Sequence, residues 1–536
     1  MKSKLLKVLL VFWIVIVGIA YYIILPPINP TSIEFWVFFI PAVFAPLYII
    51  VQLKSFKGGL KQGRAFYPTA ILIIMVAIYV IGCVVFSPVF NADKYSKRIE
   101  IVNSSFEDDI EEVDFDNLPL LDKASSQKVG DRVVGQIASL VSQFTVSDEY
   151  SLINYNSNIV RVTPLEHNGI FKYFANLSGT AGYVVVDCTT GSAKLVETDE
   201  GLKYLPSAYF SKDLYRHVRF HYPFDIIGNW SFEIDEQGNP YWVIQTQQFT
   251  WVNMKTVVSG VITVNAIDGT TNKYSVSEVP SWIDNVFDAD LVIDEIDCWG
   301  LYRNGFINSK FAQKDVVQTT DGYTYLVKDD DVYMYTGITS IANDESNIGF
   351  VLVNLRTHQA NYYGVAGAEE YSAMNSAIGK VQEKNYISTF PLLINLNGRP
   401  TYLLSLKDDA GLVKMYAFVD VVDYQKVSVS DASLGVKEAA NTYIKMMGMD
   451  SIHSDKLSAK DIYISNIKQA VIDGNTYYFI VSLENEIYQL KASVNPSIAV
   501  FIQQGEVYSV KYYNDGTINI IESIDYPRAI EGDVGV

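Results

Sequence analysis

Two histidines four residues apart, His217 and His221 in Tyr215-Arg-His-Val-Arg-Phe-His-Tyr-Pro223, could share one helical face and offer two imidazoles to zinc. A catalytic zinc needs a third protein ligand, and a zinc-peptidase helix carries a glutamate base between its histidines. Here the intervening residues are Val218, Arg219 and Phe220, and Pro223 closes the segment, so aromatic packing is the expected role. A cysteine nucleophile would have to be Cys188 or Cys298. Neither lies in a CxxC pair, and only five histidines exist to serve as base. Two separate, packed thiols are expected. No Gly-x-Ser-x-Gly elbow is present for a serine hydrolase. The acidic run Glu107 to Asp116 lacks the alternating oxygen ligands and turning glycine of a calcium loop, and reads as solvated spacer. With 60 acids a glycosidase pair is available by number, but no spacing singles one out. The residues therefore assign no catalytic, cofactor-binding or metal-ligating position, and the chain is expected to be non-enzymatic.

The elements that position these residues divide into two parts of opposite character. The chain has 536 residues, room for three or four domains, and is 49% hydrophobic. Residues 1–90 hold seven bases and one acid, Glu34, which leaves 34 bases against 59 acids beyond them, a net charge of −25. Phosphate-backbone binding is excluded for a region so acidic, and no nucleic-acid partner is expected.

Three uncharged apolar runs occupy the front: Val8 to Leu25, Phe35 to Leu53 and Tyr67 to Phe86, of 18, 19 and 20 residues. About 20 apolar residues cross ~30 Å of hydrocarbon as a helix, so three transmembrane helices are expected. Tyr21, Tyr22, Phe35, Trp36, Phe66 and Tyr67 stand at their ends, where interfacial aromatics belong. Lys2, Lys4 and Lys7 precede the first run, Lys54 to Arg64 separate the second and third, and the loop Pro26 to Glu34 has no base. The positive-inside rule then places the N-terminus in the cytoplasm and residues after about 90 outside the membrane. No run contains Asp, Glu, Arg or His, so the three read as an anchor rather than an ion path.

Beyond the anchor one pattern returns: Gly182-Tyr-Val-Val-Val-Asp187-Cys-Thr-Thr-Gly191, Gly260-Val-Ile-Thr-Val-Asn265-Ala-Ile-Asp-Gly269, and Gly349-Phe-Val-Leu-Val-Asn354-Leu-Arg-Thr-His358. Each reads as a buried strand whose Asp or Asn caps a tight reversal by accepting a backbone N–H two residues on. Met415 to Asp420 is a looser fourth copy. Gly-x-Pro turns at Gly238-Asn-Pro240 and Gly398-Arg-Pro400, and Asp329-Asp-Asp331, mark a second hairpin in each unit. Helices are expected at Pro280 to Phe287, Ala368 to Val381 and Ser433 to Met447. Another is expected from Val129 through the stripe Val133, Ile137, Val141 and Phe144.

Val184-Val-Val-Asp187-Cys-Thr-Thr190-Gly191 resembles the hairpin signature of the PepSY family, small α+β domains found in peptidase propeptides and in membrane-anchored bacterial envelope proteins. Asp268 stands where that family has Thr, and His358 where Gly is usual. The layout is also similar to membrane-anchored envelope proteins of Gram-positive bacteria. The resemblance implies tandem sheet-plus-helix repeats and carries no catalytic residues.

From Asp461 to Ser523 short strands with turns at Asp473-Gly474 and Asn514-Asp-Gly516 are similar to a small OB- or SH3-like barrel, without the basic groove that single strands of nucleic acid require. The expected organisation is α+β: an anchor over 1–90, an acidic spacer over 91–125, PepSY-like repeats over 126–290 and 291–449, and a barrel over 455–536. The implied role is an extracytoplasmic scaffold or regulator of an envelope enzyme, a peptidase or wall hydrolase. An envelope hydrolase with a hidden carboxylate site and a polymer receptor that reads through its barrel are the competing expectations.

Overall fold

The computed structural model describes residues 2–55, 66–115, 117–341, 343–449, 457–472, 475–514 and 518–526. Three helices open the chain, Lys2–Ile24, Ile33–Ser55 and Phe66–Val85, close to the three apolar runs. Pro68–Val85 is long and apolar enough to cross a membrane, whereas the apolar parts of the other two, Val8–Ile24 and Ile33–Leu47, are shorter. The basic residues Lys57, Lys61 and Arg64, on which the orientation rests, lie outside the described residues.

Four sheets follow, and each carries four antiparallel strands that neighbour one another in chain order. They are Ser151–Tyr155, Asn158–His167, Thr180–Asp187 and Ala193–Leu202; then Ile226–Ile234, Pro240–Trp251, Met254–Asn265 and Thr271–Ser275. The third sheet has Thr324–Lys328, Asp331–Ser340, Asn343–Asn354 and Ala360–Tyr363, and the fourth Leu392–Leu396, Arg399–Lys407, Val413–Asp420 and Val427–Asp431. Short strands extend all but the second. The helices Lys123–Gly135, Leu214–His221, Ala289–Tyr302 and Glu370–Gly379 come before the respective sheets.

Alternation explains why the strands read as continuous apolar runs. Successive side chains point to opposite faces, and here both faces are covered. Tyr183 and Val185 pack with Trp242, Ile262 and Val264 of the second sheet, while Val184 and Val186 pack with Val134 of the helix Lys123–Gly135. Val351 and Val353 meet Val243 and Val261, and Phe350 and Leu352 meet Leu404 and Val419. Leu403 and Phe418, on the far face of the fourth sheet, receive Ala439, Tyr443 and Ile444 of the helix Val436–Met447, which is thus a packed layer. Sheets and helices stack into one layered core.

The expected hairpin turns are present. Asp187 Oδ1 accepts from the N–H groups of Thr189 and Thr190 at 2.9 and 2.8 Å, Asn265 Oδ1 from Ile267 and Asp268 at 2.9 and 3.2 Å, and Asn354 Oδ1 from Arg356 and Thr357 at 2.9 and 2.8 Å. Gly191 and Gly269 take φ of 72° and 81°, and His358 takes 67° where glycine would be easier. His358 is held there by its ring, stacked on Phe287 at 4.1 Å and 2.7 Å from Glu295 Oε2.

Three expectations about local structure change. Pro280 to Phe287 is irregular, and the helix starts at Ala289 behind the cap Asp288, whose side chain accepts from Leu291 N–H. The helix over Val129 ends at Gly135, and its buried face is Ser125, Ser126, Gly130 and Val134, so the stripe through Val141 was a coincidence of spacing. A Cβ at residue 130 would meet the Tyr150 hydroxyl at 2.3 Å, so Gly130 lets that helix approach the first sheet. The acidic segment is threaded into the fold: Ile101–Ser104 pairs in parallel with Ala360–Tyr363, and Phe106, Phe115 and Leu118 are buried.

The tail is a closed five-stranded barrel of Ser458–Ile472, Asn475–Ser482, Ile487–Lys491, Asn519–Asp525 and Val507–Asn514, in that order around the wall. The third and fifth strands in chain order pair in parallel, the others antiparallel. The expected turns at Asp473-Gly474 and Asp515-Gly516 lie outside the described residues.

Candidate functional site

His217 and His221 do lie on one helix, Leu214–His221, with ring centroids 4.4 Å apart. One nitrogen of each ring faces backbone. His217 Nε2 is 2.8 Å from the Gly269 carbonyl and His221 Nδ1 2.8 Å from the His217 carbonyl, while the His217 ring sits 4.4 Å from that of Tyr204. Burial holds His217 below its ordinary pKa, with His221 and Lys212 adding to the effect. Among the described residues no group of three or more His, Cys, Asp or Glu is placed to hold a metal ion. Cys188 and Cys298 are unpaired and buried. Burial raises each thiol to about 11, which keeps both protonated and poorly nucleophilic near neutrality.

A large concavity was not legible beforehand. A cavity of about 860 Å³ opens where all four sheets meet. Arg161 comes to it from the first sheet, Trp230, Ser231 and Gln245 from the second, Tyr325 and the adjacent Tyr323 from the third, and Phe390, Leu403 and Ser405 from the fourth or its margin. The N-terminal turns of Lys123–Gly135 and Ala289–Tyr302 also border it. Its size suits an organic molecule of modest mass, and its wall mixes aromatic faces with a few polar groups, as ligand cavities do. Lys407 Nζ reaches Asp122 at 2.5 Å, and Ser405 Oγ donates to the Leu120 carbonyl at 3.2 Å, so the segment before the helix Lys123–Gly135 closes one side.

Two buried carboxyls stand one layer behind that wall. Glu233 is 0% and Asp284 1% exposed. Ser231 and Asn285, which line the cavity, both bond Glu233: the Ser231 hydroxyl donates to Oε1 at 2.6 Å and the Asn285 amide at 3.1 Å. Asp284 N–H donates to Glu233 Oε2 at 2.9 Å, and Asp284 Oδ2 accepts from Asn154 N–H at 2.8 Å, which leaves Oδ1 without a partner among the described residues. Burial, then the Glu233 charge, pushes the Asp284 carboxyl well above the usual range, and burial raises Glu233 as well. Proximity and raised pKa are what a hydrolase pair would need, but neither carboxyl lines the cavity, so neither reaches a molecule held there. Their observable work is to join the first two sheets to the segment that leads into the helix Ala289–Tyr302.

That arrangement carries a pH dependence. Asp284 binds its proton more tightly folded than unfolded, so its contribution is full below about pH 4 and declines as pH rises toward the folded pKa. Asn at this position keeps an acceptor for Asn154 and does not titrate. Asp284→Asn is therefore expected to gain stability relative to the parent between pH 4 and 7, by at least about 1 kcal/mol at the upper end. Urea unfolding across that range checks it; a parent-to-variant difference that ignores pH would show that Asp284 stays ionised.

No family model and no curated protein matches the sequence.

Proposed function

We propose that this is a membrane-anchored extracytoplasmic protein that docks a cell-envelope enzyme, a peptidase or wall hydrolase, and positions or regulates it without chemistry of its own. The three opening helices form the anchor, with the N-terminus in the cytoplasm. Their outward side chains, among them Val11, Phe12, Val37, Val43, Ile73 and Ile81, are apolar and exposed, which suits lipid. Aromatics gather at the end of the first: Tyr22 lies 6.1 Å from Phe220, and the Arg216 guanidinium 4.4 Å from the Tyr22 ring, as an interfacial belt would arrange them. The second sheet is seated on these helices. Trp251 stacks on Phe86 at 5.3 Å, and Asn253 N–H donates to the Thr31 carbonyl at 3.0 Å. The Asx-capped hairpins support a PepSY-like reading of the four sheets, whose relatives include peptidase propeptides, and the strand order of the barrel supports an OB-like one.

The observation that carries docking is an apolar band on the barrel. Tyr463 and Val507 are neighbours across two strands and both exposed, and Leu483 and Ile487 flank the next turn, 69% and 50% exposed. Lys460, paired with Glu484 and Glu486, gives the band a charged edge. An apolar centre with a polar rim is the anatomy of a protein-binding patch.

Crosslinking in intact cells tests this. A reproducible product with a peptidase or wall hydrolase is expected, and Tyr463→Ser with Ile487→Lys should remove it without changing the protein's level in membranes. Products confined to self-crosslinks would sink the reading. So would an enzyme crosslink that the barrel variant leaves intact. The exposed Tyr463, Phe501 and Tyr526 favour a second reading, a receptor for wall polymer, and crosslinks to wall fragments would point there.

A further inference from the structure

Arg161 is difficult to explain as a structural residue. It sits mid-strand in Ile159-Val-Arg-Val-Thr, between buried Val160 and Val162, and is 6% exposed. Among the described residues its one side-chain hydrogen bond runs from Nη1 to the Tyr150 carbonyl at 3.4 Å, and Nε has no partner. Among the described residues no carboxylate lies within 4.0 Å of its guanidinium, unlike the buried Arg98 with its two acids. A guanidinium cannot shed its proton at any ordinary pH, so burial leaves an uncompensated cation, one of the costliest states a core can hold. An anion would compensate this charge, and the cavity that Arg161 lines has room for what would carry one.

The rest of the wall narrows the ligand. The first turns of two helices, of 13 and 14 residues, border the same space and add partial positive charge. Of the acids there, Asp122 is held by Lys407 and by Ser125 N–H, and Asp288 caps Leu291 N–H. Glu149 and Asp290 also face the space, and they disfavour a ligand of more than one negative charge. Trp230, Phe287, Tyr323, Tyr325 and Phe390 offer apolar and aromatic surface for a body behind the charged end. We propose that the cavity binds an organic monoanion, a carboxylate on an aromatic or aliphatic body, with the carboxylate seated on Arg161. The fork of the guanidinium matches the two carboxylate oxygens. The same chemistry could come from a free small acid or from the C-terminus of a peptide. The proposal does not depend on what the barrel docks.

Calorimetric titration of the full-length protein in detergent, at millimolar ligand, decides it. The probes are N-acetyl-phenylalanine, its amide, and the tripeptide Ala-Ala-Phe with a free or an amidated C-terminus. At least one carboxylate probe is expected to bind about tenfold or more tighter than its amide, the scale of one charge-assisted contact. A preference confined to the acetylated amino acid names a small acid, and one confined to the tripeptide names a chain terminus. Arg161→Met should abolish the preference while the urea midpoint stays unchanged or rises, because an unpaired buried charge has been removed. Arg161→Lys, which keeps the charge and loses the fork, should retain only part of the preference and serves if the methionine variant does not fold. Equal binding of acid and amide, no binding of any probe, or a preference that survives Arg161→Met would each overturn the proposal.

Discussion

Arg98→Met is expected to lose about 3–5 kcal/mol of stability, the scale of removing one partner from a buried ion cluster. Arg98 follows the short helix Pro88–Ser96 that leaves the third opening helix, and its side chain is buried. It pairs with Asp294 and lies 3.7 Å from Glu295 Oε1, an ion pair beyond hydrogen-bonding reach. Glu295 is equally buried and keeps a second partner in His358 Nε2 at 2.7 Å. Methionine fills similar volume but leaves the Glu295 carboxylate with His358 alone. The double variant Arg98→Met, Glu295→Leu should recover most of the loss, since no charge is then stranded. Urea unfolding of the four proteins completes the cycle. A single variant within about 0.5 kcal/mol of the parent, the usual range of surface changes, would show that the cluster is solvated in the working protein. The cluster also ties the exit from the helices to the third sheet, with Tyr95 against Tyr302 at 6.4 Å beside it. Its loss should therefore loosen the seat of the sheets before it unfolds them.

The second large effect is expected at Gly260. Its φ is 152°, and a Cβ there would lie 2.0 Å from the Tyr274 carbonyl oxygen on the neighbouring strand. The pairing with Pro240–Trp251 is irregular next to it, between Thr246 and Gln247. Gly260→Ala must push two strands apart, and crowding of ~1–3 kcal/mol with backbone strain of the same order gives a loss of roughly 3 kcal/mol or more. Gly398 is the control. Its φ of 74° is also left-handed, but nothing lies within 4 Å of a Cβ there, so Gly398→Ala should cost only about 1–2 kcal/mol. Thermal unfolding of both variants tests the contrast. Equal losses would mean that strand spacing at Gly260 yields freely.

The same glycine shows how far the sequence could be read. Gly182, Gly260 and Gly349 open the three copied runs, and each brings a would-be Cβ within 2.0 to 2.5 Å of a carbonyl across the sheet. The pattern marked real elements, because an Asx cap and a β-rich run are local chemistry. The apolar runs at the front likewise became helices near their expected bounds, since length and composition fix them without reference to anything distant. Local spacing failed at Val141, where the helix that packs on the first sheet stops at Gly135, and at Pro280, where the cap at Asp288 sets the helix start.

Arg161 could have been noticed in sequence as a lone base within Ile159-Val-Arg-Val, yet a strand arginine usually faces water. Only the stacking of four sheets buries both of its faces and opens a cavity beside it. The chain by itself determined its opening helices, its hairpin turns and its charge, because these depend on composition and on neighbours within a few residues. The tertiary structure decided which carboxyls are buried behind the wall, which buried cation has no carboxylate beside it among the described residues and where the space lies, because burial and pairing depend on contacts between separate elements of the chain.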